Sequence, residues 1–215
     1  MINNFLLVLT ALIWGLAFVA QTSGTSIGTF TYNAIRCILG MLTLTPLFIY
    51  SVKKNKPDIK YAIKGGFMCG LAMFLGANLQ QYGLKFTSAG KTGFLTAIYS
   101  VLVPVFGVFV GKKTGFKVWL SVLISMIGMY LLCVKEGFKI ALTDLIIIGC
   151  AVSFAFQILF INHYSQRMDG IVLSFFQLGA VLVLSLISSL LFEKIVVEDI
   201  KKCMLSILYT GICSS

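Results

Sequence analysis

Seven apolar runs, each close to the length that crosses a bilayer, leave this chain few choices. They cover residues 4–22, 27–50, 61–83, 91–110, 116–134, 144–162 and 170–192, and an eighth begins near Cys203. A spanning helix needs about 20 mainly apolar residues. In hydrocarbon every backbone N–H and C=O must be paired within its own segment, so such runs fold as helices. The sequence is 59% apolar and only 11% charged, with a mean hydropathy of +0.99. Soluble domains are about a quarter charged. The fold class is therefore an all-α polytopic membrane protein. Residues 1–22 have no basic leader and are followed by further spans, so they read as a first membrane helix and not as a cleaved signal.

The net charge of +10 is spread over the short gaps between runs. Lys53, Lys54, Lys56, Lys60 and Lys64 surround the second gap, and Lys112, Lys113 and Lys117 the fourth. The positive-inside rule counts Lys and Arg in short loops. It puts both gaps, Arg167 of the sixth gap and the N-terminus in the cytoplasm, in a multi-pass protein of the cell membrane. Lys194, Lys201 and Lys202 run against the rule, and their neighbours Glu193, Glu198 and Asp199 count little under it. No basic helix or aromatic-interleaved basic strip is present, which excludes nucleic acid as a partner. The six Cys contain no CxxC and lie mostly inside apolar runs, so no disulfide framework is expected.

Polar residues inside the runs carry the functional signal. Asn78, Gln81 and Tyr82 stand at i, i+3 and i+4, on one helical face. After the break Thr87-Ser88-Ala89-Gly90, the next run opens with Lys91, sets Thr92, Thr96 and Tyr99 on one face, and reaches Pro104. Such groups are costly in lipid and are tolerated where they face protein or a wet cavity. This hairpin reads as the outer part of a substrate pathway. Helix-to-helix hydrogen bonding is the alternative for each residue singly. Trp14, mid-span, shares a face with Thr10 and Gln21, and Gln157 shares one with Ser153 and Phe160. Arg36 is the one charge well inside a span, about nine residues or roughly 13 Å from the outer end. It is expected either to face an anion or to satisfy backbone carbonyls. Gly66 with Gly70 and Gly107 with Gly111 form GxxxG pairs whose default use is close helix packing. His163, at a span end, has no assigned role.

Catalytic motifs are missing. The sequence has no HExxH and no GxSxG, and the run Gly107 to Lys113 has the wrong spacing for a phosphate loop. One His and scattered membrane Cys make a metal site implausible, and no cofactor is expected. None of the seven acids lies in the interior of a run, so proton coupling has no visible carrier.

The sixth and seventh runs echo the first and second. With a shift of 140, Ala11 meets Ala151, Trp14 meets Phe154 and Gly15 meets Ala155; with 141, Arg36 meets Gln177. Five spans separate the copies, and an odd number inverts the second copy in the membrane. Inverted repeats are a common transporter architecture, with the substrate near the midplane.

The chain resembles the drug/metabolite transporter superfamily, EamA type. The resemblance rests on Leu12-Ile-Trp14-Gly15-Leu-Ala-Phe18, on Phe30 with Arg36, on Gln81-Tyr-Gly-Leu84-Lys-Phe-Thr87-Ser-Ala89-Gly, and on Phe94-Leu and Pro104-Val-Phe106. It implies inverted five-helix repeats in a ten-helix fold, with 1–134 as the first repeat and 141–215 as an incomplete second one, so that only about eight helices are present. It also implies a central cavity for small metabolites. Where the family often has Gly-Glu after the fourth helix, this chain has Gly111-Lys112-Lys113.

The leading expectation is a secondary transporter or facilitator, not an enzyme, moving a small metabolite or amphipathic compound by alternating access. The substrate pathway would take Trp14, Gln21, Asn78, Gln81, Tyr82, Lys91, Thr96, Tyr99 and Gln157. The partners would be a small-molecule substrate and the bilayer, with a homodimer left open. The alternatives are a membrane enzyme or accessory acting on a lipid-linked phosphate held by Arg36 and Lys91, and a non-transporting scaffold. The eighth run stops after 13 residues at Ser215, short of a span. The chain is therefore expected to be the N-terminal portion of a ten-helix protein.

Overall fold

The computed structural model describes residues 2–109, 111, 115–134 and 143–214. Lys112, Lys113, Lys135, Glu136 and Lys139 of the charged gaps lie outside the described residues. Among those described, all regular structure is helical. The helices are α1 (Ile2–Ser23), α2 (Thr29–Asn55), α3 (Ile59–Gly83), α4 (Ala89–Ala97), α5 (Tyr99–Phe109), α6 (Phe116–Val134), α7 (Asp144–Tyr164), α8 (Gly170–Phe192), α9 (Val197–Lys202) and α10 (Met204–Cys213). Six segments are long and apolar enough to cross a membrane: Val8–Ser26, Thr29–Asn55, Ile59–Gly83, Ala89–Phe109, Asp144–Tyr164 and Gly170–Phe192. Phe116–Gly128 and Met204–Cys213 are shorter apolar helices.

Local chemistry accounts for the ends. Asp58 starts α3 by accepting from the N–H groups of Lys60 and Tyr61, Ser88 starts α4 by accepting from Lys91 N, and Asp169 starts α8 by accepting from Ile171 N. These side chains satisfy N–H groups that a helix cannot pair internally. α2 runs on to Asn55, past the expected 50. Lys53 and Lys54 then sit in its last turn, where the helix dipole favours cations, and Lys56 closes it in the left-handed region.

The fourth run is not one helix as expected. It breaks at Ile98 into α4 and α5. The turn tightens there, with Ile98 N donating to Leu95 O and Val101 N to Ile98 O. Pro104, further along α5, has no N–H for the Ser100 carbonyl, which weakens the helix on that side of the break.

α3 is the central element, packed against both α7 and α8; α2 lies on α8 and α10, α1 on α10 and α4, and α4 and α5 on α7. Glycines let α3 and α8 touch. A Cβ on Gly66 would meet the Phe176 backbone at 2.8 Å, and one on Gly70 would meet Ala180 Cβ at 2.6 Å and Gln177 O at 2.8 Å. The first GxxxG therefore serves packing. The second is not a pair on one helix: Gly107 is buried in α5, whereas Gly111, just beyond that helix, has φ +79° and open space around it. It is a turn residue, for which the left-handed region costs glycine little.

The two ends of the bundle are fixed by polar contacts. At one end Asn55 Nδ2 donates to Asp169 Oδ2 at 2.9 Å, and the Tyr61 and Tyr164 rings lie 5.3 Å apart. At the other end Glu193 meets the start of α2 and Lys91 meets Asp144. The second and sixth gaps thus share one end, as their charges led us to expect. Leu12, Leu16 and Val19 of α1 and Leu123, Ile124 and Ile127 of α6 are exposed, a surface suited to hydrocarbon.

Candidate functional site

A polar seam runs between α1, α3, α4 and α7 toward the end that carries Asp144. Ser88 caps α4 and so holds Lys91 in its first turn. Lys91 Nζ lies 2.7 Å from Asp144 Oδ2, with the two side chains 17% and 1% exposed. Asp144 is the first residue of α7, where the helix dipole favours a carboxylate. Two charges this close and this buried attract far more strongly than they would in water.

Amides and hydroxyls continue the seam. Gln81, 1% exposed, donates through Nε2 to Gln21 O at 3.3 Å. Gln80 Nε2 donates to Thr96 Oγ1 at 3.2 Å and lies 3.9 Å from Cys150 Sγ. Gln81 Oε1 and Thr92 Oγ1 are buried with no hydrogen-bond partner among the described residues. An unpaired buried acceptor costs about 1–3 kcal/mol, so such groups call for an explanation. The break at Ile98 interrupts the Ala89–Phe109 span near its middle, between Thr96 and Tyr99. The Tyr99 ring faces Phe154 of α7 at a centroid distance of 6.4 Å. Irregular backbone at membrane depth persists where it is buried in protein or lines a cavity.

The expected face of Asn78, Gln81 and Tyr82 is divided. Gln81 turns to α1. Asn78 accepts from Asn33 Nδ2 at 3.0 Å, and Tyr82 is 46% exposed with its ring 5.2 Å from Phe86. Residues three and four apart differ by tens of degrees around a helix. With neighbours on both sides, that difference sends one residue to α1 and the other two toward α2 and α8. There Asn78 and Tyr82 line a groove of about 490 Å³ together with Thr29, Phe30, Phe74, Lys85, Ser188, Phe192 and Glu193.

The remaining expected residues are dispersed. Trp14 is 50% exposed on α1, while the neighbouring Ile13 carbonyl accepts from Tyr209 Oη at 3.1 Å. Gln157 is half-buried on α7. Arg36 is buried in α2, and its backbone carbonyl comes close to Gly211 of α10. Its predicted repeat equivalent Gln177 donates to Met73 Sδ at 2.9 Å.

Sequence reasoning missed Asp144, Gln80 and Glu193. Asp144 stands in the sequence at the edge of a charged gap, although it opens an apolar run at the same end as Lys91. Glu193 stands at the end of α8, and the signal for its role is the side-chain-free Gly28 at the start of α2.

The fold and seam define a multi-pass helical membrane protein with polar groups buried at membrane depth. Residues 1–134 match the EamA-like transporter family, and the chain belongs to that family. An uncharacterized transporter of Archaeoglobus fulgidus is 35% identical over 181 residues, 83% of this chain and 55% of that protein. The chain thus spans about half the length of this relative. The uncharacterized transporter YoaV of Bacillus subtilis is 25% identical over 214 residues, 95% of this chain and 72% of its own length. No solved structure is significantly similar to the chain.

Proposed function

We propose that the protein works as a secondary transporter or facilitator, without enzymatic activity. It carries a small metabolite or amphipathic compound across the cell membrane by alternating access. The observation that carries this reading is the Ala89–Phe109 span, broken at Ile98 beside the buried seam. Interrupted helices near the midplane are where transporters of inverted-repeat design bind substrate. Gln21, Gln81, Lys91, Thr96 and Tyr99 form the core of the pathway. Trp14 and Gln157 line its wider part, and Asn78 and Tyr82 its edge. The Lys91–Asp144 pair seals one end and separates when that end opens. Arg36 holds α2 in place or faces an anionic group of the substrate.

Helix packing supports an inverted repeat of 1–134 and 141–215. Exchanging α1 with α7, α2 with α8 and α3 with α10 turns the α3–α7 and α3–α8 contacts into α10–α1 and α10–α2. Both of these are among the packed pairs, and α2–α8 maps onto itself. The N-terminus and the Lys-rich second gap are cytoplasmic. The test is flux of a metabolite panel in proteoliposomes. A substrate whose flux Gln81→Ala and Thr96→Val both reduce supports the reading, and flux unchanged in both variants would refute the pathway.

A further inference from the structure

The groove between α2, α3 and α8, where Asn78 and Tyr82 mark the edge of the proposed pathway, lies outside the seam and has a different chemistry. Its walls include Phe30, Phe74, Leu75 and Leu79, and Leu75 and Phe192 are 47% and 76% exposed. The groove therefore opens sideways, toward hydrocarbon, and not into the bundle. Its charged lining residues are Lys85, just past the end of α3, and Glu193, at the end of α8. Both stand at helix ends, at headgroup depth. Phe74 lies nine residues before the end of α3, about 13 Å deeper at 1.5 Å per residue.

The polar lining selects among headgroups. Glu193 already accepts from Phe30 N, Thr31 N and Thr31 Oγ1, at 3.0, 2.9 and 2.8 Å. A carboxylate has about four lone-pair sites, so one acceptor position remains. Thr29, 5% exposed, lines the same groove, and its Oγ1 is buried without a hydrogen-bond partner among the described residues. A carboxylate and an unused hydroxyl oxygen on one groove call for a cation with N–H donors. Lys85, exposed on the same groove, calls for an anion.

We propose that this groove is a binding site for a phospholipid with a phosphoethanolamine headgroup. The ammonium sits on Glu193 and Thr29, the phosphate on Lys85, and an acyl chain lies along Phe30 and Phe74. A choline headgroup has the same charges but no N–H to donate, and a glycerol headgroup has no cation. One charge-assisted hydrogen bond contributes roughly 1.5–3 kcal/mol, so ethanolamine should be retained at least about tenfold over choline.

Native mass spectrometry of the purified protein can read this, with phosphatidylethanolamine, phosphatidylcholine and phosphatidylglycerol of identical acyl chains added in turn. The expected result is preferential retention of phosphatidylethanolamine. Thr29→Val should reduce the preference over phosphatidylcholine, and Lys85→Gln should weaken both zwitterionic lipids. Lys85 is exposed, so its variant keeps the fold; Glu193 is avoided because it also caps α2. Equal retention of the three lipids by the wild-type protein would mean that only annular lipid binds, and would overturn the proposal. Displacement of bound lipid by millimolar free phosphoethanolamine would overturn it too, since the site would then be one for a soluble headgroup. Failure of this site leaves the transport reading untouched, because neither variant lies in the seam.

Discussion

Glu193, at the end of α8, caps the start of α2 through Thr31: its Oε2 accepts from Thr31 N at 2.9 Å and from Thr31 Oγ1 at 2.8 Å. The N-cap position of α2 is Gly28, which has no side chain to do this itself, and a Cβ there would fall on the Glu193 carboxylate. At the opposite end of the same antiparallel pair, Asn55 of α2 donates to Asp169, the N-cap of α8. The two helices are thus joined at both ends by polar contacts, with the buried Cys37, Leu178 and Val181 between them.

Removing this cap should loosen the pair. Glu193→Ala leaves Phe30 and Thr31 N–H unsatisfied, and loss of an N-cap costs about 1–2 kcal/mol. Gly28→Ala should destabilise by a similar amount, because it displaces the same carboxylate. Thermal unfolding in detergent would check both. A Glu193→Ala protein that melts with the wild type would show that the contact contributes nothing.

The Lys91–Asp144 pair should be unforgiving to single changes. Lys91→Met leaves a carboxylate that is 1% exposed without its cation. Breaking a buried pair on one side costs roughly 3–5 kcal/mol. The exchange Lys91→Asp with Asp144→Lys should recover part of the loss, since it restores a pair of opposite charges and each of the two positions lies in the first turn of a helix. Folded yield of the single and double variants, compared as a cycle, measures the coupling directly.

Gly70→Val tests the α3–α8 contact. The new side chain must push against Ala180 and the Gln177 carbonyl, which are 2.6 and 2.8 Å from the first added carbon. Backbone cannot rotate away, and overpacking costs about 1–3 kcal/mol or more. Gly111→Ala is the control. It has open space, so its only penalty is the left-handed φ of +79°. The melting temperature should fall further for Gly70→Val.

Gln81→Ala and Trp14→Ala should reduce flux while the protein still folds, with stability changes under about 1.5 kcal/mol, the size of one neutral hydrogen bond. Arg36→Ala should lower folded yield as well, because the groups around this buried cation lose it; an unmet buried group costs about 1–3 kcal/mol. Normal yield and flux from Arg36→Ala would remove the case for a buried cation of consequence.

Sidedness follows from the charge pattern. In a Cys-less background, an impermeant thiol reagent added outside intact cells should label Thr87→Cys and leave Lys54→Cys unlabelled. The reverse pattern would invert the topology.

The spans were legible in the chain because the requirement behind them is local. An apolar stretch in hydrocarbon must pair its own backbone, so run length alone marks α1, α2, α3, α7 and α8 to within a few residues, as the expected 170–192 and the observed Gly170–Phe192 illustrate. Gly66 and Gly70 were legible for a similar reason: only small residues permit backbones to meet. Partnership was not legible. Asn78 and Gln81 are three positions apart, yet one bonds Asn33 of α2 and the other Gln21 of α1. That outcome depends on how α3 is rotated between its neighbours, a quantity no local pattern contains. Asp144 and Glu193 counted in sequence as acids of the gaps. Only tertiary packing brings the first to Lys91, 53 positions away, and the second to Thr31, 162 positions away. A desolvated charge takes the partner that the assembled bundle sets beside it.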